Sequence, residues 1–437
     1  MAKLNVSTKT NPIFTHEGAK AQHINSELQL RRSVMSCLLW ESEFYEDGIS
    51  IAERIANTIP SVKPEKVAEI AIEAREKMKL RHVPLLIVRE MASIPIHKSL
   101  VADTLARIIQ REDELSEFMA IYWKDGKQSL SAQVKRGLAG AFTKFDAYQL
   151  AKYNRDGNIK LRDVLFLCHA RPGNKEQESL WKQLIDNTLP IPDTWEVNLS
   201  GGKDKKESFE RLLKENKLGA LALLRNLRNM SQAGVGEDVI FEALASMNVS
   251  RVLPFRFITA AKYVPQWENQ IEVALLKCLA SKEKIAGKTV ILVDVSGSME
   301  SQVSEKSEIT RMDAACGIAM LGRELCDARV VTFSNGMVEI PARHGFALRD
   351  AIQNSQPHGG TYLGQAINLI NAKIPYDRLI VITDEQSHDS VPVSKGKGYL
   401  INVASYQNGI GYGAWTHIDG WSEATLDYIR TFENQDS

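Results

Sequence analysis

Five oxygen-bearing side chains stand out by type and spacing. They are Asp294, Ser296 and Ser298 in KTVILVDVSGSM, Thr361 in HGGTYLGQAI, and Asp384 in RLIVITDEQS. Two carboxylates and three hydroxyls form a donor set without nitrogen or sulfur. Hard divalent cations such as Mg²⁺ or Mn²⁺ favour such donors and keep some water as well. A local reading competes: the serines cap the next helix and Asp294 hydrogen-bonds the turn. That reading accounts for one serine and leaves Thr361 and Asp384 unexplained. No nucleophile and base stand at a recognisable spacing, so no catalytic residue is assigned. Gly359 and Gly364 have the spacing of a phosphate loop, but no Lys-Ser/Thr follows. NGIGYG, with Gly409, Gly411 and Gly413, does not fit a dinucleotide fingerprint and reads as a loop. His358 is the histidine nearest Thr361 in the chain and reads as a loop residue, with a supporting role behind a ligand as the alternative.

These residues need rigid elements to hold them. Val290–Val293 and Leu379–Ile382 are continuous apolar runs, the pattern of parallel strands buried on both faces. Asp294 and Asp384 follow their ends. After Gly287 the pattern predicts strands over 288–294, 329–334, 378–383 and 398–404, with an edge piece at 337–340. Helices are predicted over 311–325, 346–354, 362–372 and 422–431. Such alternation implies an open parallel sheet covered on both faces. Ligands then sit beyond the carboxyl ends of the strands. The order D-x-S-x-S, then T, then D resembles the metal-ion-dependent adhesion site of von Willebrand factor A domains. The resemblance implies that residues 287–437 form an α/β, Rossmann-like domain.

A chain of 437 residues is too long for one ordinary core, and 44% hydrophobic with 25% charged residues is a globular composition. No apolar run approaches the ~20 residues that span a bilayer, and the first twenty residues lack the apolar core of a secretory signal. The five scattered cysteines form no C-x-x-C pair, so neither a disulfide framework nor a zinc site is indicated, and a cytoplasmic protein is expected. The net charge of zero hides an asymmetry: residues 1–290 carry a net +7 and residues 291–437 a net −7. A basic front half implies an anionic partner.

Residues 1–25 are polar and read as an arm. Residues 26–286 read as helical almost throughout. Val101, Leu105, Ile108 and Ile109 line one helix face, and Leu223, Leu227 and Met230 repeat the spacing. Helices in series, each burying a face on its neighbour, suggest an α-solenoid. Residues 124–171 hold +6 of the front half's charge, with Phe142, Phe145, Tyr148 and Tyr153 interleaved. Basic residues beside planar rings suit phosphates and unstacked bases. The same pattern also fits a solvated helix face over buried aromatics. His169, in FLCHARP, reads either as a structural residue or as an RNA hydrogen-bond donor. Arg75, Lys77, Lys79, Arg81 and His82 form a second basic cluster, which equally fits a helix C-terminal turn.

LRRSVMSCLLWE, KMKLRHVPLLIVREMA, KRGLAGAFTKFDAYQLAKYNR, KLRDVLFLCHARP, TWEV and LGALALLRNLRNM resemble the TROVE domain of Ro proteins, most closely the bacterial type. The A-domain follows in the same order. The resemblance implies an all-α ring of HEAT-like repeats and a non-enzymatic, monomeric RNA-binding scaffold. Its basic outer surface would bind Y-like small noncoding RNA, and its hole would take single-stranded ends of misfolded RNA. It places RNA-contacting helices in the stretch carrying Lys152, Arg155, Lys160, Arg162 and His169, and the basic stretch itself adds Lys135, Arg136 and Lys144 as expected RNA-binding residues. The resemblance also implies a divalent cation, Mg²⁺ or Mn²⁺, at the five-residue site and an exoribonuclease partner such as polynucleotide phosphorylase. A rival reading is a cation-dependent A-domain adaptor for proteins, with RNA incidental. A metal-dependent hydrolase is a third class, but the sequence supplies no positioned general base.

Overall fold

The computed structural model describes residues 14–15, 18, 25–36, 48–78, 80–154, 157–191, 193–195, 197, 204–252, 254–280, 283–303, 308–404, 414–419, 425–426, 429–430 and 433. The chain forms two compact units, Ser26–Cys278 and Leu279–Ser437, the latter joined by Met1–Asn25. Thr15, expected in an arm, is buried in this second unit, and its hydroxyl donates to the Ser387 carbonyl at 3.1 Å.

The first unit is helical. It begins with α1 (Ser26–Ser36), α2 (Gly48–Thr58), α3 (Pro64–Glu76), α4 (His82–Ser93) and α5 (Lys98–Ile108). Then come α6 (Asp113–Tyr122), α7 (Ala132–Phe142), α8 (Ala147–Tyr153), α9 (Leu161–Cys168) and α10 (Lys175–Ile185). α3 packs on α5, α5 on α7 and α7 on α9, so each helix buries a face against the next but one. One apolar cluster runs continuously from Leu30 through Leu184. This is the nearest-neighbour stacking of a helical-repeat array. α7 approaches α5 closely at Gly137, where an added Cβ would lie 2.9 Å from the Ala102 carbonyl and from Leu105 Cβ.

Buried polar contacts tie the repeats together. Arg75, 6% exposed, donates to Glu114 Oε1 at 2.7 Å and to the Ile108 carbonyl at 3.0 Å. Arg81 bonds Asp113 and Glu117, and His82 lies 3.3 Å from Glu117. Arg75, Arg81 and His82 of the second basic cluster therefore serve helix-to-helix packing, and Lys77 ends α3; Lys79 lies outside the described residues. Helices at Lys205–Lys214, Ala220–Ala233, Glu237–Ser246, Phe255–Tyr263 and Glu268–Ala280 continue the α-helical run.

The second unit holds a six-stranded sheet: β1 (Ile285–Asp294), β2 (Cys326–Phe333), β3 (Met337–Glu339), β4 (Arg378–Thr383), β5 (Lys397–Asn402) and β6 (Thr416–Asp419), in the order β3-β2-β1-β4-β5-β6. All pairs are parallel except the edge pair β2–β3. Val290 and Leu292 face the helix Leu363–Lys373, while Ile291 meets the helix Arg311–Leu325 at Gly322. The strand order reverses beside β1, so its carboxyl end, next to that of β4, opens the crevice where such sheets take ligands. The strands predicted from the apolar runs are present. β6 is additional, a four-residue strand with little room for a pattern. The predicted helix 422–431 and the Gly409–Gly413 loop lie partly or wholly outside the described residues.

Candidate functional site

Three loops converge at the carboxyl end of β1. The buried strand run delivers Asp294 with no exposure at all, and the chain then turns. Asp294 Oδ1 accepts from the Ser296 amide at 2.8 Å, a turn closed by its own carboxylate. The Gly297 amide donates to the Gly359 carbonyl at 3.2 Å, tying this turn to the glycine loop. A Cβ at Gly297 would stand 3.4 Å from the His358 carbonyl, an ordinary contact, so the two loops lie side by side here. Ser296 Oγ and Ser298 Oγ are 3.3 Å apart.

The glycine loop is held from the end of β2. Ser334 Oγ accepts from the Gly359 amide at 2.8 Å, and Asn335 Oδ1 accepts from the Gly360 amide at 2.7 Å. Thr361, 2% exposed, is clamped by His388, whose Nδ1 accepts from the Thr361 amide at 3.0 Å. His388 also stacks on Tyr362, with ring centroids 5.1 Å apart. β4 supplies the third loop. Thr383 Oγ1 donates to Asp294 Oδ2 at 2.6 Å, and Asp384 follows, wholly buried. Arg311 Nη1 lies 3.5 Å from Asp384 Oδ2. Burial raises the pKa of the Asp294 carboxyl, and the nearby charge of Asp384 raises it further.

The five predicted residues thus belong to one loop cluster. Thr383, Arg311, Ser334, Asn335 and His388 were missed. Thr383 was readable as the residue before Asp384; the others carry no local sequence signal. His358 faces elsewhere, with Nδ1 2.6 Å from Glu300 Oε1 and Nε2 2.9 Å from the Gln353 carbonyl. Among the described residues no three His, Cys, Asp or Glu side chains cluster to hold a metal. The donor set is instead two carboxylates and three hydroxyls. Burial and the neighbouring Asp384 make the ionised Asp294 carboxylate costly, and two buried acids with hydroxyls beside them fit a hard cation that takes oxygen ligands.

The basic stretch of the helical unit divides into several roles. Lys144 departs from the expected phosphate contact: its ammonium donates to the Ile109 carbonyl at 2.9 Å and to the Ala106 carbonyl, capping α5. Burial lowers its pKa. Phe142 and Phe145 are core residues, which for these two rings is the alternative of buried aromatics under a solvated face. Lys135 is half-buried, and Arg136 pairs with exposed Asp103 at 3.0 Å, a weak surface pair that a phosphate can displace. Lys152 lies over the Tyr153 ring at 5.7 Å, with Arg111 over the same ring at 4.9 Å. The Lys160 amide donates to Asp163 at 2.9 Å, and Arg162 is exposed. His169 is exposed and left-handed, with φ 55°, ending α9. Arg155 lies outside the described residues.

Two consecutive helices repeat one arrangement. Tyr148, 52% exposed, stands four residues before Lys152 on α8, and Phe166, 58% exposed, stands four residues after Arg162 on α9. Residues four apart share a helix face. Phe166 was passed over because it sits in the apolar run of FLCHARP. Only the helix phase shows that it points outward.

The TROVE domain matches residues 186–314, and the von Willebrand factor type A domain matches residues 289–386. Telomerase protein component 1 of Mus musculus is 22% identical over 310 residues, covering 50% of this chain and 12% of that protein. The same protein of Rattus norvegicus is 19% identical over 307 residues, with the same coverage of 50% and 12%. The chain spans only this small share, 12%, of the curated relatives' length. The crystal structure of the Deinococcus radiodurans RO (RSR) protein matches with a TM-score of 0.62 at 17% identity, covering 94% of this chain and 100% of that one. This last likeness shows the fold.

Proposed function

We propose that this chain, whose residues 186–314 match a TROVE domain and residues 289–386 a von Willebrand factor type A domain in a fold like that of the RO (RSR) protein, is a non-enzymatic RNA-binding scaffold. The observation that carries the reading is the doubled pair of cation and exposed ring on α8 and α9, in the stretch holding most of the front half's positive charge. A cation there meets phosphate, and a ring stacks on a base freed from its helix. In this reading Lys152, Arg155, Lys160, Arg162 and His169 take a structured, Y-like noncoding RNA on an outer surface. A passage through the helical array takes the single-stranded end of a misfolded RNA. An exoribonuclease such as polynucleotide phosphorylase is the enzyme that this scaffold would serve.

The A-domain site belongs to the same reading. Asp294, Ser296, Ser298, Thr361 and Asp384 would hold Mg²⁺ or Mn²⁺, and the bound ion would offer a positive centre to an acidic group of a partner. Thr383 and His388 act on this site by holding Asp294 and Thr361 in place. Sequencing the RNA that co-purifies with the protein tests the reading. Enrichment of small structured RNAs supports it. A preparation free of RNA that instead retains a protein partner only in divalent cation favours the adaptor reading.

A further inference from the structure

The site at the end of β1 already has a positive charge beside it. We propose that the Arg311 guanidinium is a built-in countercharge of this site, which keeps its buried carboxylates tolerable without a metal and weakens the binding of a divalent cation. The inference rests on the reading of Asp294, Ser296, Ser298, Thr361 and Asp384 as a cation site.

Arg311 is placed there by its helix start. Thr310 caps the helix Arg311–Leu325: Thr310 Oγ1 accepts from the Asp313 amide at 3.1 Å, and Asp313 Oδ2 accepts from the Thr310 amide at 2.9 Å. The Arg311 amide donates to the Ser301 carbonyl at 2.9 Å, fixing the first helical residue against the loop that leaves the site. The side chain then runs inward, only 3% exposed, to Asp384, which has no exposure. The other buried acid of this loop, Glu385, is in contact with His417 of β6, while the Arg311 guanidinium stands 3.5 Å from Asp384 Oδ2.

A guanidinium stays protonated in proteins, so this charge is permanent. Two buried carboxylates without any counterion would be costly, and removing one partner of a buried pair leaves an uncompensated charge. Arg311 supplies that compensation. The same charge repels an arriving divalent ion and occupies Asp384 Oδ2. A merely structural ion pair would change stability when removed, but it would not make the site bind a cation more tightly. The sign of the affinity change separates the two roles.

The experiment uses the full chain with Mg²⁺ or Mn²⁺ as the probe, comparing wild type with Arg311→Met. Calorimetry should show cation affinity raised about tenfold or more in the variant, since one nearby charge has been removed. In EDTA the variant should melt below wild type, and added Mg²⁺ should raise its melting temperature more than it raises that of wild type. Equal or weaker cation affinity in the variant overturns the inference while leaving the cation site standing. Absence of cation binding in both proteins overturns the cation site and this inference with it. If Arg311→Met folds in neither condition, Arg311→Gln, which removes the charge but keeps a polar side chain against Asp384, is titrated in the same way. Tighter cation binding than wild type supports the inference; equal or weaker binding overturns it.

Discussion

At the residue scale, Asp294 ties the oxygen site together, with Oδ1 accepting from the Ser296 amide and Oδ2 from the Thr383 hydroxyl. If Asp294 anchors the cation, Asp294→Ala should abolish binding of Mg²⁺ or Mn²⁺ by calorimetry and leave RNA affinity unchanged, because the proposed RNA contacts lie in the other unit. Undiminished cation binding contradicts the assignment. The five oxygen-bearing residues were readable because Asp294, Ser296 and Ser298 lie within five positions and Thr361 and Asp384 stand at loop and strand ends. Their supports were not, because Arg311 and His388 reach the site only through the way the sheet brings a helix start and the loop after β4 beside β1. On the RNA side, charge and ring should separate by salt. Changing Lys160 and Arg162 together to Ala should flatten the slope of affinity against salt by about one to two, roughly one per lost phosphate contact. Phe166→Ala should lower affinity by about 1–3 kcal/mol and leave the slope unchanged, as loss of a stacked base does. Identical slopes in all three proteins would remove Lys160 and Arg162 from the interface.

At the element scale, apolar periodicity predicted the array and the sheet, because both bury continuous faces. The helix Arg311–Leu325 matches its predicted span of 311–325. β6 was missed because four residues carry no periodic signal, and the inward placement of Phe142 depends on helix phase rather than composition, while that of Phe145 depends on the turn between α7 and α8. Lys144 shows the same limit. Its charge counts toward the basic stretch, but the end of α5 uses its donors. Two glycines on α7 give a test of opposite signs. Glycine in a helix costs about 1 kcal/mol against alanine, so substitution usually stabilises. At Gly140 a Cβ would meet only Ala106 Cβ at 3.5 Å, ordinary contact. Gly140→Ala should therefore raise unfolding stability by up to about 1 kcal/mol. At Gly137 the Cβ would meet the Ala102 carbonyl and Leu105 Cβ at 2.9 Å. Forcing α7 off α5 costs about 1–3 kcal/mol by overpacking, so Gly137→Ala should destabilise on balance. Urea denaturation of both variants decides it; stabilisation by both would mean that α5 and α7 are not in close contact there.

At the scale of the whole molecule, the division of charge is the feature to explain. A net +7 up to position 290 and −7 after it separates the residues proposed to take an anion from those proposed to take a cation. Phosphate contacts make binding steeply dependent on salt, whereas contacts to single-stranded bases discriminate by whether a free strand is present. The proposed scaffold binds structured RNA on its basic helices and a free RNA end elsewhere in the array. A pair of titrations across a salt series tests this most directly, using one hairpin with a single-stranded 3′ tail and the same hairpin made blunt. Both RNAs should bind, both affinities should fall steeply as salt rises, and the tailed hairpin should bind more tightly at every salt concentration. Equal affinities would remove the single-strand site and leave the outer surface alone. Affinities indifferent to salt, or no binding of either RNA, would overturn the RNA-scaffold reading.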